Sequence, residues 1–257
     1  IKLLDAFIAN GLDHIVLCPG SRSTPLALAA GGFAELGRIK LITSIDERSA
    51  AFLALGISTA KGKGVVVITT SGTAVANLLP AAIEADRSCQ SLIFLTADRP
   101  ERLKNCGSNQ TVNQEEFLAS VCRIVEQSPK EGLHNCTHKT IENLGNKLWN
   151  HAHSFPGPVH CNIAIEEPLH PSYLEQRFVW NIKDCKDLNQ RNNIPQLIDY
   201  SNLEIKQNSR LDPFGKGVII AGPWRGLSGD LDLFNEALKK WQNISGWPIF
   251  ADPLSGI

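Results

Sequence analysis

Short runs of apolar, mostly β-branched residues alternate with helix-like stretches, and this alternation constrains the fold more than any other feature of the sequence. The runs cover residues 14–18, 39–45, 64–69, 91–96 and 158–165. Strands that are apolar on both faces are typical of parallel sheets with helices packed on each side. The sequence therefore predicts a doubly wound α/β fold.

Helical spacing of apolar residues fills the intervals between these runs. A first helix is predicted to end before Gly11, and a second begins near Pro25, because proline suits the first turn of a helix. A third begins at Glu47, a fourth covers 74–86, and a further helical region covers 139–153.

Composition changes sharply after residue 170, where Asn, Gln, Lys and Asp become frequent and periodicity is lost. Such a segment is typical of a linker between domains. We predict a first α/β domain over 1–170, a linker over 171–214 and the start of a second α/β domain over 215–257. Two strands and one helix are too little for a core, so we expect another segment to complete that second domain.

Charge and composition exclude several classes of protein. The net charge is −1, with 43% apolar and 20% charged residues, so no basic excess attracts nucleic acid or an anionic membrane. No apolar stretch is long enough to span a bilayer, and no signal-peptide pattern is present. Seven cysteines without a Cys-x-x-Cys pair indicate reduced thiols rather than a disulfide framework. We expect a cytoplasmic protein.

Polar and charged residues follow four of the predicted strands. The segments are Pro19-Gly20-Ser21-Arg22, Asp46-Glu47, Thr70-Ser71-Gly72-Thr73 and Asp98-Arg99. Taken singly, each has a structural explanation as a turn, a helix cap or a local ion pair. Taken together, they occupy the carboxyl edge of the predicted sheet, where open α/β sheets bind ligands.

Two of these residues indicate the charge of the ligand. Arg22 and Arg99 each present a guanidinium fork that suits a carboxylate or a phosphate, so an anionic substrate is predicted. Asp46 or Glu47, by contrast, would also be explained by the favourable position of negative charge in the first turn of a helix. The motifs of a serine hydrolase elbow and of a dinucleotide-binding turn are both missing from the sequence.

The same segments, in the same order, carry a resemblance to a known family. They include Cys18-Pro19-Gly20-Ser21-Arg22-Ser23-Thr24-Pro25, Asp46-Glu47-Arg48, Thr70-Ser71-Gly72-Thr73-Ala74, Leu95-Thr96-Ala97-Asp98-Arg99-Pro100 and Gly107-Ser108-Asn109-Gln110. Over almost its whole length the chain resembles the N-terminal part of the 2-succinyl-5-enolpyruvyl-6-hydroxy-3-cyclohexene-1-carboxylate synthase family. These are thiamine-diphosphate enzymes of menaquinone and phylloquinone biosynthesis.

The resemblance implies a role for individual residues. Glu47 matches the catalytic glutamate that hydrogen-bonds the pyrimidine nitrogen N1′ of thiamine diphosphate and promotes its imino tautomer. The residues implied for cofactor binding are Pro19, Gly20, Glu47, Thr70, Asn77 and Gln110. Those implied for substrate binding are Ser21, Arg22, Arg99 and Gln110.

The reaction implied is decarboxylation of 2-oxoglutarate followed by 1,4-addition of the succinyl-semialdehyde carbanion to isochorismate. In the family, a divalent metal, Mg²⁺ or Mn²⁺, and the cofactor diphosphate are held by a C-terminal domain that this sequence does not contain. No metal ligand is therefore expected here. A homodimer or homotetramer is expected, because the pyrimidine-binding domain of one subunit faces the diphosphate-binding domain of another.

Two alternatives stay open at this point. Another thiamine-diphosphate decarboxylase or carboligase would also need Glu47, although such relatives usually lack the matches to Arg22 and Arg99. A non-catalytic binding module derived from such an enzyme is the second alternative, since Glu47 would also persist as a helix-terminal charge.

Overall fold

The computed structural model describes residues 1–104, 106–130, 132–172, 212–224 and 230–257. The chain divides into two compact units, one formed by Ile1–Thr59 with Lys63–Gln196 and the other by Ala60–Gly62 with Leu197–Ile257. Most of the predicted linker over 171–214 lies outside the described residues. The predicted domain boundaries therefore remain predictions.

The larger unit alternates strands and helices. Its strands are β1 (His14–Leu17), β2 (Lys40–Thr43), β3 (Val65–Thr69), β4 (Leu92–Asp98), β5 (Val125–Gln127) and β6 (Pro158–Ala164). Its α-helices are α1 (Lys2–Ala9), α2 (Thr24–Glu35), α3 (Glu47–Lys61), α4 (Thr73–Ala76), α5 (Leu79–Ser88) and α6 (His138–Ser154). Short 3₁₀ turns lie at Glu101–Leu103, Gln114–Glu116 and Leu133–Asn135.

All neighbouring strands of the larger sheet are parallel, and within the described residues their order is β2-β1-β3-β4-β6-β5. The chain runs outward from β1 to β2 and then crosses back to β3 on the other side of β1. This reversal places a topological switch point between β1 and β3. In open α/β sheets the crevice at such a point, beyond the carboxyl ends of the strands, is the usual ligand site.

Successive strand residues feed two separate cores, one on each face of the sheet. On one face, β-strand residues such as Ile68 and Leu95 pack with α1, α2 and α6. On the other face, residues such as Val67 and Phe94 pack with α3 and α5. Both faces are therefore covered, which confirms the predicted doubly wound parallel sheet.

Two details differ from the sequence prediction. The helix expected over 74–86 is two helices, α4 and α5, with Asn77 and Leu78 between them. Pro80, in the first turn of α5, explains the break, since it has no N–H to donate within a continuous helix. The short edge strand β5 was also missed, because its three residues are only partly apolar and partly buried.

The smaller unit has the beginnings of a second α/β arrangement. Strands β7 (Ile219–Ala221) and β8 (Ile249–Ala251) pair in parallel, and helix α7 (Leu231–Ser245) lies between them in the chain. This agrees with the predicted start of a second α/β domain. Several of its apolar side chains are exposed, among them Ile220 and Phe250.

The six described cysteines are all free, and Cys18 and Cys161 are the buried ones. Within the described parts of the chain, no helix combines the length and the apolar character that crossing a membrane requires.

Candidate active site

The turn after β1 lies directly against the turn after β3. A Cβ atom placed on Gly20 would sit 2.5 Å from the Thr70 Cβ, so only glycine allows this approach. Side-chain hydroxyls fix the turn from within, because Ser23 Oγ donates to the Gly20 carbonyl at 3.0 Å and Thr24 Oγ1 donates to the Ser21 carbonyl at 2.8 Å. Pro19 and Ser21 are exposed in the same turn.

Adjacent carboxylates at the start of α3 have different tasks. Asp46 accepts a hydrogen bond from the Ser49 backbone N–H at 2.6 Å, which is the arrangement of an N-terminal helix cap. This bond also lowers the pKa of Asp46 below its usual value. Glu47 instead accepts from the Asn77 side-chain amide at 3.2 Å. The helix therefore has its cap without Glu47, and that carboxylate is turned toward Asn77, between α4 and α5.

Glu47 also lies close to the end of β1. Burial raises the pKa of the Cys18 thiol to about 12, and the carboxylates of Glu47 and Asp46 contribute to the rise. The thiol is consequently neutral at physiological pH and does not compete for the proton of a neighbouring acid. Glu47 itself is half-buried, with Asn77 more exposed beside it.

Arg22 is buried, with 7% of its surface exposed. Its Nη1 donates to the Ile165 carbonyl at 2.9 Å, and its Nη2 donates to Glu167 Oε1 at 3.1 Å. Both partners lie in the segment after β6, so these hydrogen bonds connect the turn after β1 to the end of β6. The Nε atom of Arg22 is buried and has no partner among the described residues.

Arg99 follows β4 and reaches across to the turn after β3. Its Nη1 donates to Ser71 Oγ at 2.8 Å and to the Gln110 carbonyl at 3.0 Å. Gln110 adopts a left-handed backbone with φ 55° and packs on Gly72, whose own φ is 79°. A Cβ on Gly72 would meet Gln110 atoms at 3.2–3.4 Å, so the glycine makes room for the loop that carries Gln110.

The two predicted substrate arginines are near enough to influence each other. Burial lowers the pKa of Arg99, and the positive charge of Arg22 lowers it further. Asp98 and Glu167 act in the opposite direction. The two positive charges therefore act on each other at this edge, and the nearby carboxylates of Asp98 and Glu167 balance part of them.

A network of buried polar side chains at the ends of β4 and β6 holds the backbone of Arg99 in place. Asp98 is 1% exposed, accepts from the Arg99 backbone N–H at 2.8 Å and from Asn162 Nδ2 at 2.8 Å, and pairs with Lys104 at 3.0 Å. Lys104 also pairs with Glu115 at 3.0 Å. These contacts hold the start of the loop that follows β4 against the sheet.

Gln114 closes that loop and was not singled out from the sequence. Its Oε1 accepts from the Gly72 backbone N–H at 2.8 Å, while its Nε2 donates to the Ala97 carbonyl at 3.0 Å and to Asn162 Oδ1 at 2.7 Å. One fully buried side chain thus joins the ends of β3, β4 and β6. An uncharged glutamine in a polar loop gives no sequence signal that separates it from a surface residue.

Most of the predicted site residues fall into two groups along the sheet edge, and the members of each group lie close to one another. Glu47 contacts Asn77, and Gly20 contacts Thr70, around the switch point. In the second group, Arg99 donates a hydrogen bond to the Gln110 carbonyl, and the charge of Arg22 lowers the pKa of Arg99.

Comparison with protein families gives this arrangement a context. Residues 2–118, which include β1 to β4 and Gln114, match the family described as "Thiamine pyrophosphate enzyme, N-terminal TPP binding domain". Residues 2–118 belong to this domain family. The matched segment carries Gly20, Glu47, Thr70 and Asn77, so the switch-point group lies entirely within the TPP binding domain.

Similarity to individual proteins extends beyond the TPP binding domain. A 2-succinyl-5-enolpyruvyl-6-hydroxy-3-cyclohexene-1-carboxylate synthase of Prochlorococcus marinus (strain MIT 9313) is 56% identical over 252 residues, which are 96% of this chain and 43% of that protein. The synthase of P. marinus (strain MIT 9303) is 55% identical over 252 residues, covering 96% and 43%. A Synechococcus sp. (strain CC9311) synthase is 51% identical over 255 residues, covering 99% and 44%.

These identities confirm the resemblance predicted from the sequence. The chain spans less than half of the length of the curated relatives it matches.

Proposed function

We propose that this chain supplies the pyrimidine-binding part of a thiamine-diphosphate-dependent transferase. The reaction is decarboxylation of 2-oxoglutarate and 1,4-addition of the resulting succinyl unit to isochorismate, which forms 2-succinyl-5-enolpyruvyl-6-hydroxy-3-cyclohexene-1-carboxylate for menaquinone or phylloquinone synthesis. The observation that carries the proposal is the division of labour between Asp46 and Glu47. Since Asp46 caps α3, the carboxylate of Glu47 is available at the switch point.

The residues around Glu47 fit an aminopyrimidine ring. Gly20 keeps the first turn free of a side chain where it meets Thr70, and this leaves backbone groups as the wall of the crevice. Asn77 adds an amide beside the Glu47 carboxylate. A planar heterocycle with ring nitrogens and an exocyclic amino group requires such donors and acceptors, together with a carboxylic acid.

When bound, thiamine diphosphate supplies the electron sink for decarboxylation. The contribution of this chain is to hold a proton at the Glu47 carboxyl group, shared with the pyrimidine nitrogen, and so to favour the reactive tautomer. The buried Cys18 thiol, whose pKa is raised to about 12, stays neutral next to that proton. Asn77 orients the carboxyl group by donating to Oε2.

The arginines suit the substrates, because 2-oxoglutarate and isochorismate both carry two carboxylates. Arg22 follows β1 and Arg99 follows β4, on either side of β3, and the repulsion between their charges favours an anion between or beside them. Gln110 is held next to Arg99 by its carbonyl, and Ser21 lies exposed in the turn before Arg22. We assign these four residues to substrate binding.

The diphosphate and its Mg²⁺ are proposed to bind on a domain of another subunit. A homodimer or homotetramer would bring the two halves of the cofactor site together. Exposed apolar side chains on α3, Phe52 at 39% and Leu53 at 42%, support a subunit interface near Glu47.

The test is consumption of 2-oxoglutarate by the full polypeptide with thiamine diphosphate and Mg²⁺, with and without isochorismate. Glu47→Gln keeps the shape of the side chain but removes its acid, so we expect kcat to fall by roughly 10²-fold or more. Glu35→Gln, an exposed residue at the end of α2, is the matched control and should behave as wild type.

Each alternative has its own outcome in this experiment. Turnover of pyruvate or another 2-oxo acid in place of 2-oxoglutarate would indicate a different carboligase. Absence of both turnover and cofactor binding would favour a non-catalytic binding module. A Glu47→Gln variant as active as wild type would remove the proton role from Glu47.

A further inference from the structure

The guanidinium of Arg22 is incompletely used. Nη1 donates to the Ile165 carbonyl and Nη2 to Glu167, while Nε is buried with no partner among the described residues. An arginine binds a carboxylate best through two parallel N–H groups. Glu167 occupies one donor, at 3.1 Å, so the pair has a single hydrogen bond where the chemistry of arginine allows two.

Glu167 and Arg22 have very different environments. The side chain of Arg22 is 8% exposed, whereas that of Glu167 is 65% exposed. A buried charge without a counter-ion is strongly unfavourable, so Arg22 needs a carboxylate partner whenever no ligand is present. Glu167 loses little by leaving, because an exposed carboxylate is readily rehydrated and its ion pair is screened by solvent.

Two neighbouring cations, Arg102 and Lys104, are paired with other carboxylates. Arg102 contacts Glu166 at 2.5 Å, and Lys104 contacts Asp98 and Glu115, each at 3.0 Å. Arg99 donates to oxygens of Ser71 and Gln110 and experiences the charges of Arg22, Asp98 and Glu167. Among the carboxylates paired with these cations, Glu167 on Arg22 is therefore the one that an entering anion would displace most easily.

We propose that Glu167 is a stand-in carboxylate that occupies Arg22 until a carboxylate of the substrate replaces it. The inference rests on the proposed function, and it adds Glu167 as a positioning residue that acts through Arg22. The substrate carboxylate gains Nε as well as Nη2, while Glu167 swings into solvent. No bond is made or broken in the exchange, and the total charge of the chain is unchanged.

The test compares Glu167→Gln with Glu166→Gln, a control that removes the same charge from the adjacent residue. Binding of isochorismate and of 2-oxoglutarate is measured by calorimetry without thiamine diphosphate, so that no turnover occurs. KM and kcat are then measured with the cofactor and Mg²⁺. Both glutamates are exposed or half-exposed on the surface, so neither change threatens folding.

For Glu167→Gln we expect roughly threefold to fivefold tighter binding of one of the two dicarboxylates, with a matching fall in its KM and little change in kcat. Glu166→Gln should leave both constants near wild type. In an Arg22→Gln background, Glu167→Gln should have no further effect.

Weaker binding or a raised KM in Glu167→Gln would overturn the inference, since Glu167 would then be needed to hold Arg22 in the bound state. An equal gain in Glu166→Gln would overturn it too, because the effect would be a general one of charge. Lack of turnover in the wild type would refute the proposed synthase alone, and the calorimetric comparison would still decide the role of Glu167.

Discussion

Gly20 is the residue at which the packing of the candidate site is tightest. We expect Gly20→Ala to destabilise the fold by about 1–3 kcal/mol, because the new Cβ would overlap Thr70. The change should also weaken thiamine diphosphate binding, since the turn must move away from β3. Chemical denaturation and a cofactor titration measure the two effects.

Gly31→Ala is the matched control for this substitution. Gly31 lies inside α2, and a Cβ there meets no atom within 4 Å. The exchange should therefore raise the free energy of unfolding by roughly 0.5–1 kcal/mol, as expected for alanine in a helix. If Gly20→Ala were as stable as wild type, the turn would be able to move away from Thr70 at no cost, and the tight packing would not contribute to stability.

At the same scale, the sequence revealed the charged members of the site better than the neutral ones. Arg22, Arg99 and Glu47 stand out because they are charged and follow predicted strands, at the edge where open α/β sheets bind ligands. Gln114 and Asn162 gave no such signal, although they are buried and hydrogen-bonded to several strand ends. Their importance depends on contacts between residues 48 positions apart, which local patterns cannot show.

Among the elements, the strands were the easiest to predict. Continuous apolar runs identified β1, β3, β4 and β6 because both of their faces are buried. The edge strand β5 lacks that pattern, since it is covered less completely. Helix boundaries were less certain, and Pro80 was the overlooked signal for the break between α4 and α5.

The ends of β3, β4 and β6 are coupled by Gln114, which gives a prediction for the sheet edge. Gln114→Met keeps a similar volume but leaves the Gly72 N–H, the Ala97 carbonyl and Asn162 Oδ1 without this partner. We expect a loss of about 2 kcal/mol or more in the free energy of unfolding by urea. KM for the substrates should also rise, because Gly72 supports Gln110.

Gln127→Met, at an exposed position on β5, serves as the control and should change the free energy of unfolding by less than about 0.5 kcal/mol. Equal stability of the two variants would show that the Gln114 contacts add nothing to the fold.

For the whole molecule, buried His160 makes stability depend on pH. Burial lowers its pKa from 6.5 to about 4, so the folded chain disfavours the protonated form that the unfolded chain readily adopts below pH 6.5. Stability from this group is complete above about pH 6.5 and is lost progressively as pH falls toward 4. The loss is on the order of 3 kcal/mol.

We predict that His160→Gln flattens the decline in the free energy of unfolding between pH 6.5 and 4 relative to wild type. His151→Gln, on the exposed surface of α6, should keep the wild-type slope. Desolvation also lowers the pKa of the partly buried His153, so some decline remains in both variants. Parallel curves for wild type and His160→Gln would contradict the assignment.

A doubly wound sheet has a problem of alignment that the polar network solves. Apolar side chains cover both faces of the sheet. If β6 shifted by one residue along β4, its apolar side chains would still face an apolar core, so hydrophobic packing alone would oppose the shift only weakly. Thr96 lies opposite Asn162 and bonds to it at 3.0 Å, and Asn162 in turn bonds Asp98 at 2.8 Å. These hydrogen bonds form in one register only, so the residues that support Arg99 also determine how β4 and β6 align during folding.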